Sequence, residues 1–216
     1  VLAFWLRWTG IEWGLPGGDH YAASYRPDEF SLFAWIRRMN PDRWDFNPHI
    51  YLNGTLLLFA LAGLYKALSL LGLVKISTSP LFYYEHVSEW AKFYGFGRVF
   101  MVGVGLLTVW AIYRAGRAAF GRTAGLVAAL LYAIAPVHVI SSKHLLIEPA
   151  ATLWFALLVL FCFRIIQRGA WKDYLRAALV LGSGSAVKIN LAPLGMLLAS
   201  AHFLGAFANR RTASCS

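Results

Sequence analysis

Long apolar runs are the feature that most limits what this chain can fold into. They occupy residues 51–74, 99–113, 124–140 and 150–166, and few charged side chains interrupt them. Each run approaches the roughly 17–25 residues that a helix needs to cross a bilayer. Charged residues make up only 14% of the chain, against about 25% in soluble domains. The sequence therefore excludes an ordinary soluble enzyme and predicts an all-α, polytopic transmembrane helical bundle.

The chain carries a net charge of +10, and the excess lies in its second half. Residues 99–216 hold eleven basic and two acidic side chains, whereas residues 1–98 are nearly balanced. The basic residues form short clusters between apolar runs, which is typical of cytoplasmic loops and not of a nucleic-acid surface. We therefore predict no nucleic-acid partner. Three clusters are expected in the cytoplasm: Arg114, Arg117 and Arg122; Arg164, Arg168, Lys172 and Arg176; and Arg210 with Arg211.

These clusters give the apolar runs a direction across the membrane. The segment 123–167 begins and ends on the cytoplasmic side, so its turn around residues 141–148 is expected on the outer face. The segment 174–209 makes the same trip, and its outer turn is expected near Lys188 and Asn190. Glycine and proline residues flank this second turn and are expected to interrupt the helix on either side of it.

In the first third of the chain, the number of membrane crossings is hard to reconcile with the predicted sidedness. If residues 1–13 end an outward-going helix, residues 14–49 form a first outer loop. The run 50–74 then begins and ends outside, yet about 24 residues make only about 36 Å of helix. Three interpretations stay open: the run lies along the membrane, it enters and returns as a broken segment, or it spans once and the sidedness is wrong. Residues 75–94 are expected to be a polar connection with one amphipathic turn, which leads to a helix opened by Arg98.

Ionisable residues at the predicted outer ends form the candidate site. Asp28 and Glu29 follow Pro27, and acidic residues in a first helical turn also favour the helix dipole. Glu148 precedes Pro149 and is expected to cap a helix. Charges near hydrocarbon are costly and tend to be functional, although long basic side chains also snorkel to the interface. All six of these residues are predicted to lie at the same face of the membrane, and this common placement favours a functional role for them: Asp28, Glu29, Arg98, His144, Glu148 and Lys188.

Several short motifs in a fixed order give the chain a resemblance to a known family. They are Pro27-Asp28-Glu29, Asn47-Pro48-His49, Gly97-Arg98, Tyr113-Arg114-Ala115-Gly116-Arg117, Ala135-Pro136-Val137-His138, the acid Glu148 and Val187-Lys188-Ile189-Asn190. Through them the chain resembles the N-terminal half of GT-C polyprenyl-phosphate-sugar glycosyltransferases of family 39, the protein O-mannosyltransferase and lipid A aminoarabinose transferase type. Glu148 stands where this family commonly has Asp. The resemblance runs through residues 1–207, and residues 208–216 are expected to be a polar tail at a truncation.

The resemblance implies an integral membrane enzyme of a prokaryotic inner or plasma membrane, with its active site on the outer face. It implies hexosyl or pentosyl transfer, with inversion, from a polyprenyl phosphate to a hydroxyl or phosphate of a lipid, glycan or protein acceptor. The first outer loop would hold helices that lie along the membrane. We predict catalysis by Asp28 and Glu29, with Asp28 as the base that the resemblance implies, and substrate binding by Arg98, His144, Glu148, Lys188 and Asn190.

Two alternatives stay open at this point. Asp28, Glu29, His144 and Glu148 have the oxygen and nitrogen atoms that could bind a divalent metal, and no other cofactor is implied. A transporter or channel would also place ionisable residues in a membrane protein. In that case they would line a path near mid-membrane, beside a broken helix at residues 182–193.

Overall fold

The computed structural model describes residues 1–17, 26–40, 44–50 and 54–214, with side chains up to residue 207. Within these ranges the chain is almost entirely helical and contains no β-strand, which confirms the predicted all-α fold. The helices are α1 (Leu2–Trp8), α2 (Pro27–Arg38), α3 (Leu56–Leu70), α4 (Pro80–Glu85), α5 (Val87–Phe120), α6 (Arg122–Ile134), α7 (Pro136–Ser142), α8 (Ile147–Arg168), α9 (Trp171–Val187) and α10 (Gly195–Ser214), with a 3₁₀ turn at Ile189–Leu194.

Three of the described helical segments are long and apolar enough to cross a membrane: α5, α8 and Ile189–Phe207. Helices α6 and α7 together make a fourth candidate, bent by 63°. The bend follows from Pro136, whose ring and missing N–H interrupt the hydrogen-bond ladder of α6. Helices α5 and α8 and the bent pair α6–α7 contain the apolar runs 99–113, 150–166 and 124–140, and the protein is an integral membrane protein. The run 51–74 contributes only the 15-residue α3, and neither α3 nor the 17-residue α9 is among these candidates.

Helices α5 and α8 form the centre of the bundle, with α6 packed on α5 and both α9 and α10 packed on α8. The two central helices run antiparallel. At one end Gln167 of α8 donates to the carbonyl of Ala118 in α5, and at the other Leu145, just before α8, lies against Gly97 of α5. The 34 residues of α5 make about 51 Å of helix, which exceeds the roughly 30 Å of a hydrocarbon core. Part of α5 therefore extends beyond the hydrocarbon.

Helices α2, α3 and α4 pack on the first half of α5 through buried aromatic rings. Tyr65 of α3 stacks on Phe93 of α5 with 3.8 Å between ring centroids, and its hydroxyl donates to the Phe93 carbonyl at 3.0 Å. Burial, reinforced by the Glu29 carboxylate, raises the pKa of Tyr65 well above its ordinary value, so the phenol remains a donor. The same cluster contains Phe33, Tyr83, Trp90 and Tyr94.

The structure of α3 bears on the number of membrane crossings made by the run 50–74. From Leu56 to Leu70 it is one continuous helix, which argues against a broken segment that enters and returns. Gly54, just before α3, packs against Ala186 at the end of α9, while Tyr65 near the other end contacts Phe93. At 15 residues, α3 is also shorter than the roughly 17–25 residues that a spanning helix needs. Its length and continuity favour a helix that lies along the membrane, which would keep the predicted sidedness.

The prediction for Arg98 and the segment before it was wrong. Helix α5 begins at Val87, so Arg98 lies within a helix instead of opening one. Residues 80–85 are helical as well, so most of the expected polar connection 75–94 is helix. The physical reason is tertiary: buried side chains such as Trp90 anchor a stretch whose local composition is polar.

The expectation that the glycines before Lys188 interrupt the helix was also wrong. Residues 182–185 stay helical up to Val187, although their glycines are weak helix formers. Gly184 permits a close approach to α8, where a Cβ would lie 2.9 Å from the ring of Trp154. The Trp154 indole donates to Ser183 at 2.7 Å. At the other end of this hairpin the backbone of α10 continues to Ser214.

Candidate active site

The motif Pro27-Asp28-Glu29 starts α2, and its two acidic residues have opposite surroundings. Pro27 is the first helical residue, and both acids lie in the first turn. Successive side chains on a helix diverge by about 100°. Glu29 accordingly turns into the core and is 0% exposed, whereas Asp28 is exposed. The adjacent carboxylates therefore cannot have the same role.

Glu29 forms a buried, two-pronged ion pair with Arg98. The Arg98 Nε donates to Oε1 at 2.8 Å, and Nη2 donates to Oε2 at 2.7 Å. Arg98 is 1% exposed. This geometry uses the planar guanidinium fork, and paired hydrogen bonds of this kind are among the strongest in proteins. The sequence brought these two residues to the same face, and the structure brings them into direct contact.

The ion pair also ties several segments together. Arg98 Nη1 donates to the carbonyls of Ile11 and Trp13 at 2.7 and 2.8 Å. The backbone N–H of Leu145 donates to Glu29 Oε1 at 2.8 Å. The chain after α1, the start of α2, the middle of α5 and the loop before α8 therefore meet at one buried charge pair. Removal of one partner would leave an uncompensated charge, which costs about 3–5 kcal/mol in such sites.

His144 lies beside the same carboxylate and is nearly buried. Its Nδ1 is 3.6 Å from Glu29 Oε1, and the residue is 6% exposed. Arg98, Glu29 and His144 are therefore enclosed by protein, which favours a positioning role for them. Substrate contact by Arg98 or His144 stays a prediction.

Asp28 and Glu148 line a small cleft on the open side of α2. The cleft has a volume of about 130 Å³ and is formed by Asp28, Ser31, Leu32, Trp35, Ile147 and Glu148. The motifs did not single out Ser31 or Trp35. Their spacing of three and seven residues from Asp28 places them on its helical face, and this is the signal that could have found them.

Glu148 pairs with a lysine instead of capping its helix. Its Oε1 is 3.1 Å from Lys188 Nζ. The N-cap of α8 is Leu146, without a side-chain hydrogen bond, so the predicted cap was wrong. Lys188 follows α9 directly, with an extended backbone, as the predicted turn required. Asn190 lies in the next turn and is exposed.

A long apolar groove extends to the end of the bundle that holds the Glu148–Lys188 pair. Its volume of about 820 Å³ falls within the roughly 300–1,000 Å³ of small-molecule sites. Val187, which immediately precedes Lys188, and Ala150, two residues after Glu148, are among its lining residues. The lining positions on α5 extend from Val99 to Trp110, or about 17 Å of helix. The groove therefore reaches the end of the bundle at which Glu148 and Lys188 pair.

The structure bears on the two alternatives that the sequence left open, a divalent metal site and a transporter or channel. In the described ranges no three His, Cys, Asp or Glu side chains are grouped as a metal site would need, although Asp28 and Glu148 share a cleft. The transporter interpretation requires ionisable groups near mid-membrane. Instead, Glu148 lies in the first turn of α8 and Lys188 just after the end of α9.

Arg7 is a buried charge that none of the motifs includes. It is 0% exposed, and its Nη1 donates to the carbonyl of Ala133 at 3.0 Å, close to the bend between α6 and α7. Its guanidinium also lies 5.7 Å from the centre of the Tyr132 ring. A single arginine inside an otherwise apolar helix is a signal for such a role. Arg7 therefore supports the bent hairpin that leads to His144.

The comparisons with known proteins concern most of this bundle. A family model described as dolichyl-phosphate-mannose-protein mannosyltransferase matches residues 95–214. No curated protein and no solved structure matches the chain. The matched segment begins after Asp28 and Glu29 and includes the other predicted site residues, Arg98, His144, Glu148, Lys188 and Asn190.

Proposed function

The chain belongs to the dolichyl-phosphate-mannose-protein mannosyltransferase family and is a membrane glycosyltransferase of the mannosyltransferase type, and we propose that its donor is a sugar on a polyprenyl phosphate. The acceptor is a hydroxyl or phosphate group of a lipid, glycan or protein on the outer face of the membrane. The observation that carries this proposal is that the 820 Å³ apolar groove reaches the end of the bundle that holds Asp28, Glu148 and Lys188. An isoprenoid phosphate has the matching chemistry, with an anionic head and a long apolar tail.

Lys188 is suited to the phosphate of the carrier. Its ammonium is only partly buried, with 27% of the side chain exposed, and pairs with Glu148. A phosphate at the end of the groove would replace that carboxylate as the partner of the ammonium, or share the ammonium with it. The phosphate gains negative charge as the bond to the sugar breaks, so a nearby cation favours departure. Arg98 already donates to Glu29 and to two carbonyls, and its role in the proposal is to hold α2 in place.

Asp28 is the proposed base. During attack, the acceptor oxygen bonds to the anomeric carbon, its proton passes to the Asp28 carboxylate, and the bonding electrons of the sugar–phosphate bond leave with the phosphate. One such displacement inverts the anomeric centre. Glu29 is less suited, because its carboxylate is buried and already accepts from Arg98 and Leu145. Asp28 is exposed in the cleft next to Glu148.

The test compares Asp28→Asn with a matched exposed acid, Glu85→Gln, which lies at the end of α4 outside the cleft. Sugar transfer from a labelled polyprenyl phosphate and affinity for the carrier are measured separately. Asp28→Asn should lower turnover by roughly 10²–10⁴-fold with little change in carrier affinity, because proton transfer occurs only in the transition state. Glu85→Gln should behave as wild type.

If Asp28→Asn transfers sugar at a near wild-type rate, Asp28 is not the base. If no polyprenyl phosphate sugar supports transfer by the wild-type protein while a nucleotide sugar does, the proposed donor is wrong. NMR of the anomeric configuration of the sugar, in the donor and in the product, tests inversion. Retention of configuration would contradict the single displacement.

A further inference from the structure

Four arginines line one pocket at the end of the bundle opposite the candidate active site. The pocket lies between the last part of α5 and the last part of α8 and has a volume of about 420 Å³. Helix α8 separates Glu148 from Arg164 by sixteen residues, or about 24 Å, so this pocket is distinct from the catalytic cleft. Its lining residues are Arg114, Arg117, Ala118, Leu160, Arg164, Gln167 and Arg168.

None of these four arginines forms an ion pair in the part of the chain that the structure describes, although Asp173 is near enough to Arg164 to attract it. Residues 99–216 contain only two acids, Glu148 and Asp173. Glu148 is at the opposite end, and Asp173 is buried and pairs with Arg176 at 3.1 Å. Four like charges around one cavity repel each other, and Arg114 and Arg164 are partly buried. The arrangement is therefore more stable with an anion in the cavity.

The surroundings of the pocket fit a lipid better than a soluble anion. Arg114 lies over the ring of Trp110 and Arg164 over that of Phe161, each 5.4 Å from the ring centre. Trp110 is 49% exposed and Phe120 is 79% exposed, so apolar surface continues from the pocket along the outside of the bundle. Aromatic residues of this kind mark the headgroup level of a membrane. A ligand here can place an anionic group among the arginines and acyl chains against the rings.

We propose that this arginine pocket binds the phosphate group of an anionic membrane phospholipid, at the end of the bundle that the positive-inside bias assigns to the cytoplasmic leaflet. The guanidinium groups of Arg114 and Arg164 hold the phosphate oxygens, and Arg117 and Arg168 add positive charge at the rim. Such a lipid joins α5 to α8 at the end away from the active site. Basic pockets between transmembrane helices are suited to this ligand.

The test uses the purified protein in detergent, with native mass spectrometry to follow binding of phosphatidylglycerol, phosphatidylcholine or inorganic phosphate. The pocket variant is Arg114→Gln with Arg164→Gln. The control is Arg122→Gln with Lys172→Gln, which removes two exposed charges from the same end but outside the pocket. We expect the wild type to prefer phosphatidylglycerol, and the pocket variant to bind it about 30-fold more weakly. The control should bind as wild type does.

Thermal unfolding in phosphatidylcholine alone shows whether the pocket variant is folded. Because the two substitutions relieve repulsion between cations, the variant should be at least as stable there as the wild type, and only the wild type should gain stability on addition of phosphatidylglycerol. An equal loss of binding in the control would overturn the proposal, since it would mean a general surface attraction. Binding of inorganic phosphate as strong as that of the lipid would also overturn it, in favour of a soluble anion.

Discussion

Substitution of Glu29 by Gln should destabilise the fold far more than substitution of its neighbour Asp28 by Asn. Gln keeps the shape of Glu29 and removes the charge, so that the Arg98 guanidinium stays buried without its carboxylate. Such removal costs about 3–5 kcal/mol. Arg98 would still donate to the carbonyls of Ile11 and Trp13 at 2.7 and 2.8 Å, which favours the lower end, about 3 kcal/mol.

The expected change in melting temperature follows from this value. For 150–250 residues, 1 kcal/mol corresponds to about 2–4 °C, so Glu29→Gln should lower Tm by about 6–12 °C. Asp28→Asn removes only an exposed charge from a first helical turn, worth about 0.3–1 kcal/mol, and should lower Tm by at most about 4 °C. Tryptophan fluorescence of the purified protein on heating measures both variants. Equal Tm values for the two variants would refute the structural role of the ion pair.

Three further predictions follow from the geometry. Lys188→Ala should weaken binding of a polyprenyl phosphate about tenfold or more, as measured by competition with a labelled carrier; unchanged affinity would remove Lys188 from the site. A periplasmic reporter should be active when fused at Leu145 and silent at Ala118, and the reverse result would invert the topology. Gly125→Ala should cost about 1–3 kcal/mol, because its methyl would lie 2.7 Å from the α5 backbone, whereas Gly63→Ala meets open space; equal thermal stabilities would contradict this.

The sequence alone was sufficient for the helical class, the two helical hairpins and the end of the bundle at which the predicted site residues meet. Each of these depends on local hydropathy or on charge next to an apolar run, and a single stretch of chain contains that information. The turn at Lys188 and the gathering of Glu148 and Lys188 at one end are examples. The motifs also indicated the family to which residues 95–214 belong.

Only the tertiary structure decided which of the neighbours Asp28 and Glu29 is buried and which is exposed. Their sequence environments are almost identical, and the choice depends on Arg98, which lies 69 residues further along the chain. The helical state of residues 87–98 has the same kind of cause, since contacts of Trp90 with Phe33 of α2 and Tyr83 of α4 outweigh its polar sequence neighbours. Burial and charge pairing are properties of contacts between distant segments. Local sequence therefore identified which residues are chemically able to act, and packing decided which of them are buried and which face the open cleft.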